Sequence, residues 1–289
     1  MSEIAKEYLT RVGQLCIDKM QDHLPLDQEV PRRLHEAMRY SMFAGGKRLR
    51  PCLAYAAWET FEGQGDKIFY ATSALEMFHT FSLIHDDLPC MDDDDFRRGN
   101  PTAHKQYDEA TAVLAGDALC ILAFELLAKT GRIETITTMA KSLGTHGMIG
   151  GQIIDIESEG KDVDLDTVKY IHYHKTAALI ESSLLVGAQI AGASLAEQEI
   201  FLNYGRNIGL AFQIIDDVLD IESTTEELGK DVGSDVERGK ATYPSVLGLE
   251  ESKKQARDLV KASLDDLKKL NRDTSILEAI ADFIITRVN

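Results

Sequence analysis

Apolar positions recur with the 3.6-residue period of an α-helix along almost the whole chain, and no alternating strand pattern of useful length interrupts them. The pattern predicts helices at 3–23, 30–43, 50–62, 66–90, 105–129, 132–145, 148–156, 164–173, 175–192, 195–222, 243–270 and 273–287. A proline count of only 6 is compatible with long helices. We therefore expect an all-α fold, and the length of 289 residues allows one or two domains.

Two aspartate clusters are the most unusual feature of these predicted helices. They consist of Asp86, Asp87 and the run 92–95, and of Asp216, Asp217 and Asp220. The second triplet falls on one helix face, where carboxylates about 4 Å apart repel by roughly 4 kcal/mol at an effective dielectric near 20. A solvated acidic face is the usual explanation for one such run, but it does not account for two clusters set in apolar segments. The sequence therefore predicts a site for hard divalent cations such as Mg²⁺, which bind carboxylate and phosphate oxygens.

Pro89 interrupts the first cluster and removes a helical hydrogen bond to residue 85. A regular helix would place Cys90 below Asp86, and the next acid after the proline is Asp92. We expect the proline-induced distortion to bring Asp92 back beside Asp86 and Asp87.

Basic residues are concentrated near glycines or directly after the first acidic cluster. Lys47, Arg48 and Arg50 follow a Gly-Gly pair, and Arg97-Arg98 follow the aspartates. Glycine-flanked amides and arginines suit phosphate groups, although no Gly-Lys pair fits the P-loop pattern. The segment 222–242 shows no helical pattern and contains Lys230 and Lys240, each after a glycine, which is typical of a functional loop.

Composition narrows the class of partners and the compartment. The formal charge of −17 disfavours nucleic acid and anionic membranes as partners. Four widely spaced cysteines predict a reduced, cytoplasmic chain. The first residues lack the features of a secretory signal, and the longest uncharged stretch, 182–196, is too short for stable membrane insertion.

Several motifs together closely resemble the short-chain trans-prenyl diphosphate synthases, especially bacterial farnesyl diphosphate synthases. The matching stretches are GGKRLRP at 45–51, LIHDDLPCMDDDDFRRGNPT at 83–102, LAGDAL at 114–119, GGQ at 150–152, HKTAALI at 174–180, FQIIDDVLD at 212–220 and the GK pairs at 229–230 and 239–240. The resemblance covers almost the whole chain. It implies one all-α domain over residues 1–289, an isoprenoid-synthase bundle around a deep central cavity, and a homodimer.

The resemblance also implies roles for individual residues. Metal ligands for three Mg²⁺ ions would be Asp86, Asp87, Asp92, Asp216, Asp217 and Asp220. The allylic diphosphate would contact Arg97, Lys175, Lys230 and Lys240, and isopentenyl diphosphate would contact Lys47, Arg50, His79 and Arg98. Thr176 and Gln213 would stabilise the allylic cation beside Lys175, Asp86 and Asp216.

Phe81 lies five residues before Asp86, about 7.5 Å along a helix axis. Its ring, beside the small Ser82, is expected to limit the growing chain. In the resembling family, an aromatic residue at this position combined with the two-residue insertion of the first aspartate motif is associated with a fifteen-carbon product, farnesyl diphosphate. Geranylgeranyl diphosphate synthesis remains an alternative, because Cys90 is also found in some twenty-carbon enzymes. Asn100 replaces a frequent lysine of the family.

Other classes fit the residues less well. A class I terpene cyclase needs no second diphosphate site, and its second metal motif usually mixes Asn, Ser and Glu. A non-catalytic synthase subunit typically lacks one aspartate motif, whereas both are complete here. A di-iron bundle requires paired Glu-x-x-His motifs, and Glu76 with His79 supplies only one.

Overall fold

Helices form nearly all the regular structure in residues 2–222 and 240–286, the part of the chain that the computed structural model describes. They are α1 (Ser2–His23), α2 (Arg32–Phe43), α3 (Leu49–Thr60), α4 (Lys67–Asp86), α5 (Ala103–Gln106), α6 (Glu109–Lys129), α7 (Ile133–Leu143), α8 (Met148–Ser158), α9 (Leu165–Ile171), α10 (Ala178–Ala191), α11 (Leu195–Glu222), α12 (Tyr243–Leu247), α13 (Leu249–Leu267) and α14 (Ser275–Thr286). A π-helical segment, His172–Ala177, joins α9 to α10. A short antiparallel hairpin pairs β1 (Phe96–Arg97) with β2 (Asn100–Pro101). The predicted all-α class is confirmed.

Three predicted helices are shorter or divided in the structure. The helix expected over 66–90 ends at Asp86, three residues before Pro89. The helix expected over 105–129 is divided, because the carboxylate of Asp108 caps a new helix by accepting from the backbone N–H of Thr111. The helix expected over 243–270 is divided at Gly248, whose φ of 79° lies outside the helical region.

The core is centred on α4, which is apolar on nearly every face. It packs against α1, α3, α6 and α10, and most of its residues from Ile68 to Ile84 are buried. The contact between α3 and α10 depends on Gly187, where an added Cβ would lie only 2.0 Å from the carbonyl oxygen of Ala54. The closely packed helices surround α4, which ends at Asp86.

Helix α6 is long and apolar enough, by length and composition alone, to cross a membrane. Its small residues Ala112, Ala115 and Ala123 are fully buried, and the helix packs along α4 as the core helix of a bundle does. Its other face exposes Leu114 and Ile121. The structure thus leaves an apolar face of α6 outside the core.

A buried ion pair fixes the basic segment 45–51 at the start of α3. Arg48 Nη1 lies 2.5 Å from Glu76 Oε1, and Arg48 Nη2 donates to the carbonyl oxygen of Met42 at 2.7 Å. Arg48 has a positive φ of 51° and is 4% exposed. It therefore ties the segment to α4, while the neighbouring basic side chains, Lys47 and Arg50, project elsewhere.

We expect Arg48→Met to lower the free energy of unfolding by about 3–5 kcal/mol, because it leaves Glu76 charged and buried without its partner. The double variant Arg48→Met/Glu76→Leu should recover most of that loss. As a control, Arg33→Met breaks the exposed pair with Asp108 and should cost less than about 1 kcal/mol. Denaturant unfolding measures all three, and a double variant no more stable than Arg48→Met would contradict this account.

Candidate active site

The first aspartate cluster folds back on itself after α4 ends. The backbone N–H of Asp92 donates to the carbonyl oxygen of Asp86 at 2.8 Å, so the turn containing Pro89 returns the chain to the helix end. Burial raises the pKa of Asp86 to about 6, and the nearby carboxylates of Asp92 and Asp87 add to this effect. The expected grouping of these three aspartates is therefore present.

Arg97 supplies part of the counter-charge for this cluster. One of its guanidinium nitrogens lies 2.5 Å from Asp87 Oδ1 and 3.1 Å from Asp94 Oδ2. Burial also raises the pKa of Asp87, and the Arg97 guanidinium opposes that rise. Arg97 thus faces the carboxylates.

The second aspartate cluster lies on the last turns of α11. Asp217 and Asp220 are buried, at 3% and 1% exposure. Asp217 accepts from Gln213 Nε2 and from the backbone N–H of Tyr243, each at 3.0 Å. These contacts orient the Asp217 carboxylate from two directions.

His172, in the π-helical segment, contacts the same carboxylate. Its Nε2 lies 3.3 Å from Asp217 Oδ2, and its ring stacks on Tyr243 with centroids 5.1 Å apart. Burial lowers the pKa of His172 to about 3, so the ring is neutral. His172 therefore positions Asp217 without adding charge.

Two lysines connect the two clusters. Lys175 Nζ lies 2.6 Å from Asp155 Oδ2, and Lys240 Nζ lies 3.5 Å from Asp92 Oδ1. Burial alone would lower the pKa of Lys175, but the carboxylates of Asp155 and Asp86 raise it above its ordinary value. Lys175 and Lys240 also line a small cavity of about 90 Å³ that Asp217 borders. Both clusters therefore belong to one site; the predicted Lys230 lies outside the described residues.

This site has the donor set of a hard divalent cation. The six aspartates offer carboxylate oxygens, the ligands that Mg²⁺ prefers. Burial of Asp86, Asp87, Asp217 and Asp220 makes their negative charge costly without cations. The residues present therefore fit Mg²⁺.

A separate basic face lies beside the end of α4. Arg98 Nη2 is 3.5 Å from His79 Nε2, and Arg98 donates to the carbonyl oxygen of Gly45. Burial lowers the pKa of His79 well below its ordinary value, and Arg50 and Arg98 lower it further. Burial also lowers the pKa of Arg50 to about 10. Arg50 and Arg98 thus place two positive charges beside the neutral imidazole of His79, as predicted residues of one group. This arrangement suits an anion.

Lys47 and Arg50 occupy different environments on this face. Lys47 is exposed in the loop before α3. Arg50 Nε is buried and has no hydrogen-bond partner among the described residues. A buried donor of this kind is costly unless a ligand or water accepts from it.

A larger cavity of about 590 Å³ adjoins the acidic site and shares Lys175 and Thr176 with it. Its apolar lining residues come from α4, the following turn, α6, α8 and α10: Phe81, Leu83, Leu88, Met91, Val113, Met148, Ile149, Ile153, Ile156 and Leu179. Arg50, His79 and Asp86 stand at its polar side. The cavity therefore offers an apolar chamber with charged groups on its wall.

Phe81 and Ser82, the residues predicted to limit chain length, both line this chamber. Phe81 is 8% exposed, and its ring makes edge contacts with Phe78 and His85 at centroid distances of 6.5 and 5.8 Å. Ser82 donates to the carbonyl oxygen of His79 at 2.8 Å. The phenyl ring is thus held in place by neighbours on its own helix.

Thr176 and Gln213 connect the chamber to the second cluster. Thr176 Oγ1 donates to Gln213 Oε1 at 2.9 Å, and Gln213 Nε2 in turn donates to Asp217 Oδ1. Thr176 lines both cavities. Thr176 and Gln213 therefore link the chamber wall to the Asp217 carboxylate.

No site role was predicted for Gln152, Asp155 or His172, which line these cavities. One signal was available: Gly151 stands one turn before Asp155, and a Cβ there would lie 2.6 Å from the backbone nitrogen of Lys175. The glycine lets α8 approach the π-helical segment. The π-helical geometry, which sets the direction of His172, has no clear sequence signal.

Comparison with known proteins identifies the family. The polyprenyl synthetase family model matches residues 31–282. The chain belongs to the polyprenyl synthetase family. It is therefore a prenyltransferase.

Relatives of this polyprenyl synthetase include enzymes with different products. It is 47% identical to geranylgeranyl diphosphate synthase of Cyanophora paradoxa, over 98% of this chain and 96% of the relative. It is 46% identical to farnesyl diphosphate synthase of Haemophilus influenzae, over 88% of each. The crystal structure of an FPP/GFPP synthase from Zymomonas mobilis superposes with a TM-score of 0.86 at 38% identity, covering 99% of this chain and 100% of that one. The predicted isoprenoid-synthase fold is confirmed.

We expect Asp86→Asn to stabilise this synthetase when metal is absent. Folding raises the pKa of Asp86 above its ordinary value near 3.8, so the folded chain binds more protons between about pH 4 and 6. Its unfolding free energy therefore falls as pH rises through that window. At pH 7 in chelator, Asp86→Asn should gain about 1–3 kcal/mol.

Chemical denaturation in EDTA at pH 5 and pH 7 measures this effect. Asp162→Asn, at an exposed position, is the control and should change little at either pH. An Asp86→Asn variant less stable than the parent at pH 7 would show that the carboxylate is not under desolvation strain.

Proposed function

We propose that this prenyltransferase condenses isopentenyl diphosphate with dimethylallyl or geranyl diphosphate to give farnesyl diphosphate. The observation that carries the proposal is the meeting of two aspartate clusters at one site, beside both an apolar chamber and a separate basic face. The acidic site suits a metal-bound diphosphate, the basic face suits a second anion, and the apolar chamber suits a hydrocarbon chain. The family and the named relatives support the same reaction class.

The acidic site would bind the allylic diphosphate. Asp86, Asp87 and Asp92 on one wall and Asp216, Asp217 and Asp220 on the other would hold Mg²⁺, with three ions expected from the family resemblance. When bound, Mg²⁺ neutralises the charge that develops on diphosphate as a leaving group. Arg97, Lys175 and Lys240 lie among the carboxylates and would contact diphosphate oxygens. Lys230 is proposed from its motif alone.

The basic face would bind isopentenyl diphosphate. Arg50 and Arg98 flank His79, and Lys47 stands on the loop before Arg50. Their positive charge balances the diphosphate, and the bidentate geometry of arginine suits its oxygens. The neutral His79 ring can donate a hydrogen bond without adding to the charge.

The reaction breaks the allylic C1–O bond and joins C1 to the terminal carbon of isopentenyl diphosphate. Thr176 Oγ1 and Gln213 Oε1 provide oxygen dipoles that stabilise the positive allylic carbon, with Lys175 near the departing oxygens. The proton lost from C2 of the isopentenyl unit passes to the released diphosphate, following the family resemblance. Walls of Leu, Ile and Met exclude water that would otherwise capture the cation.

A farnesyl product is proposed from the position of Phe81 in the chamber wall. The side chain lies about 7.5 Å along the helix axis from Asp86, where it would meet the growing chain. The named relatives include synthases of farnesyl and geranylgeranyl diphosphate, so the twenty-carbon product is the second candidate.

We further propose a homodimer and a cytoplasmic location. The exposed apolar face of α6, with Leu114 at 58% and Ile121 at 71% exposure, supports association with a second copy. Sedimentation equilibrium would measure whether two copies associate. The proposed substrates are small molecules, and no nucleic acid is proposed as a partner.

We expect the protein to convert isopentenyl diphosphate and each allylic primer to product in Mg²⁺ and not in EDTA. Asp86→Ala should lower turnover by several orders of magnitude, because its carboxylate faces both Asp92 and Lys175. Radiolabelled isopentenyl diphosphate followed by chromatography of the dephosphorylated products measures rate and chain length together. Full turnover in chelator would refute the proposal, and a cyclic hydrocarbon made without isopentenyl diphosphate would indicate a cyclase instead.

We expect Phe81→Ala to lengthen the product and Ser82→Phe to shorten it, because the first enlarges the chamber and the second fills it. Phe69→Leu is the matched control, since Phe69 is buried on the same helix, does not line the chamber and packs its ring against Tyr55. The same chromatography reports each length. An unchanged product in both Phe81→Ala and Ser82→Phe would place the limit of the chain elsewhere.

A further inference from the structure

The residues after the first aspartate cluster form a second group of metal-ligating atoms. One carboxylate oxygen each from Asp93 and Asp95 and one ring nitrogen of His104 all lie within 4.8 Å of one another. The two aspartates are exposed, whereas His104 is 8% exposed and belongs to the short helix α5. None of the three is needed in the proposed reaction.

The hydrogen-bond network assigns the proton on His104. Thr102 Oγ1 donates its hydrogen to a backbone carbonyl, that of Asp94 at 2.8 Å or Asp95 at 3.4 Å. At its contact of 3.1 Å with His104 Nδ1, the hydroxyl must therefore accept, so Nδ1 carries the proton. The lone pair of the imidazole then resides on Nε2.

This Nε2 atom is buried and has no hydrogen-bond partner among the described residues. A buried nitrogen lone pair without a partner is costly. Histidines that bind metals commonly donate their other N–H to an oxygen of the protein, which fixes the tautomer and the ring orientation. Thr102 provides that oxygen here.

From this geometry, we propose that His104, Asp93 and Asp95 form a binding site for a divalent first-row transition metal ion such as Zn²⁺. One imidazole nitrogen with two carboxylates favours such an ion over Mg²⁺ or Ca²⁺, which take oxygen ligands. Ligands about 2.0–2.2 Å from a tetrahedral zinc ion lie about 3.4 Å apart. The three ligating atoms lie within 4.8 Å of one another, so the exposed aspartates need to close by at most about 1.4 Å.

Lys105 occupies part of this site as a competing cation. Its Nζ lies 2.7 Å from Asp95 Oδ1, and both side chains are largely exposed. A metal ion must share or displace this ammonium group. Removal of the lysine charge should therefore tighten metal binding, an effect opposite to that of losing a ligand.

The site would also link two parts of the chain near the active site. Asp93 and Asp95 flank Asp94, which pairs with Arg97, and Arg97 pairs with Asp87. A bound ion would fasten this turn to α5. The ion would support the turn that carries Asp92 without contacting substrate.

Calorimetric titration of the substrate-free protein with Zn²⁺, in excess Mg²⁺ to occupy oxygen-only sites, tests the proposal. His104→Asn keeps a donor toward Thr102 and lacks the ligating nitrogen; we expect it to weaken Zn²⁺ binding at least about 10-fold. His146→Ala, at an exposed position, is the control and should bind as the parent does. Lys105→Gln should tighten binding.

Nuclear magnetic resonance of ¹⁵N-labelled histidine supplies the second readout. Zn²⁺ should shift one Nε2 resonance among the eight histidines, and His104→Asn should abolish that shift while keeping the thermal unfolding temperature of the parent in EDTA. Zn²⁺ binding that is equal in the parent and His104→Asn would overturn the proposal. A shift that survives in His104→Asn, or weaker binding in Lys105→Gln, would also overturn it.

Discussion

The structure depends on the electrostatic cost of burying carboxylates from two distant segments in one place. Asp87, Asp217 and Asp220 are almost inaccessible to solvent, and burial raises the pKa values of Asp86 and Asp87. In the described chain, cationic side chains offset part of this charge: Arg97 against the first cluster and Lys240 across to Asp92. We propose that the remaining repulsion makes this site attract divalent cations and, through them, a diphosphate.

The rest of the molecule keeps this costly arrangement rigid. Helix α4 is buried on nearly all sides and presents Asp86 at its end, while the Arg48–Glu76 pair fixes the basic segment to the same helix. His172 and Tyr243 hold Asp217 from the opposite wall. The acidic and basic groups are therefore held apart. The aspartates and Lys175 lie on one side, Arg98 lies beside His79 on another, and the apolar chamber, which Arg50 and His79 line, is next to both.

The sequence was sufficient for the features that depend on local pattern. Helical periodicity predicted the all-α class, and Pro89 predicted the turn that returns Asp92 to Asp86. Local pattern alone did not separate the adjacent Arg97 and Arg98, whereas the family resemblance did. In the structure Arg97 turns to Asp87 while Arg98, with a positive φ of 55°, turns to His79. No site role was predicted for His172, because a π-helical segment directs it into the site, or for Asp155, because its contact with Lys175 depends on the packing of α8 against that segment. Such long-range and irregular contacts leave no periodic signal.

The central claim is that both aspartate clusters bind one shared set of cations around a diphosphate. The most direct measurement is a crystal structure with Mn²⁺ and a non-hydrolysable allylic diphosphate analogue, in which anomalous scattering locates the manganese ions. The account predicts manganese peaks ligated by Asp86 or Asp92 and others ligated by Asp216 or Asp220, all bridged by the same diphosphate. Manganese bound to one cluster alone, with the diphosphate elsewhere, would contradict it.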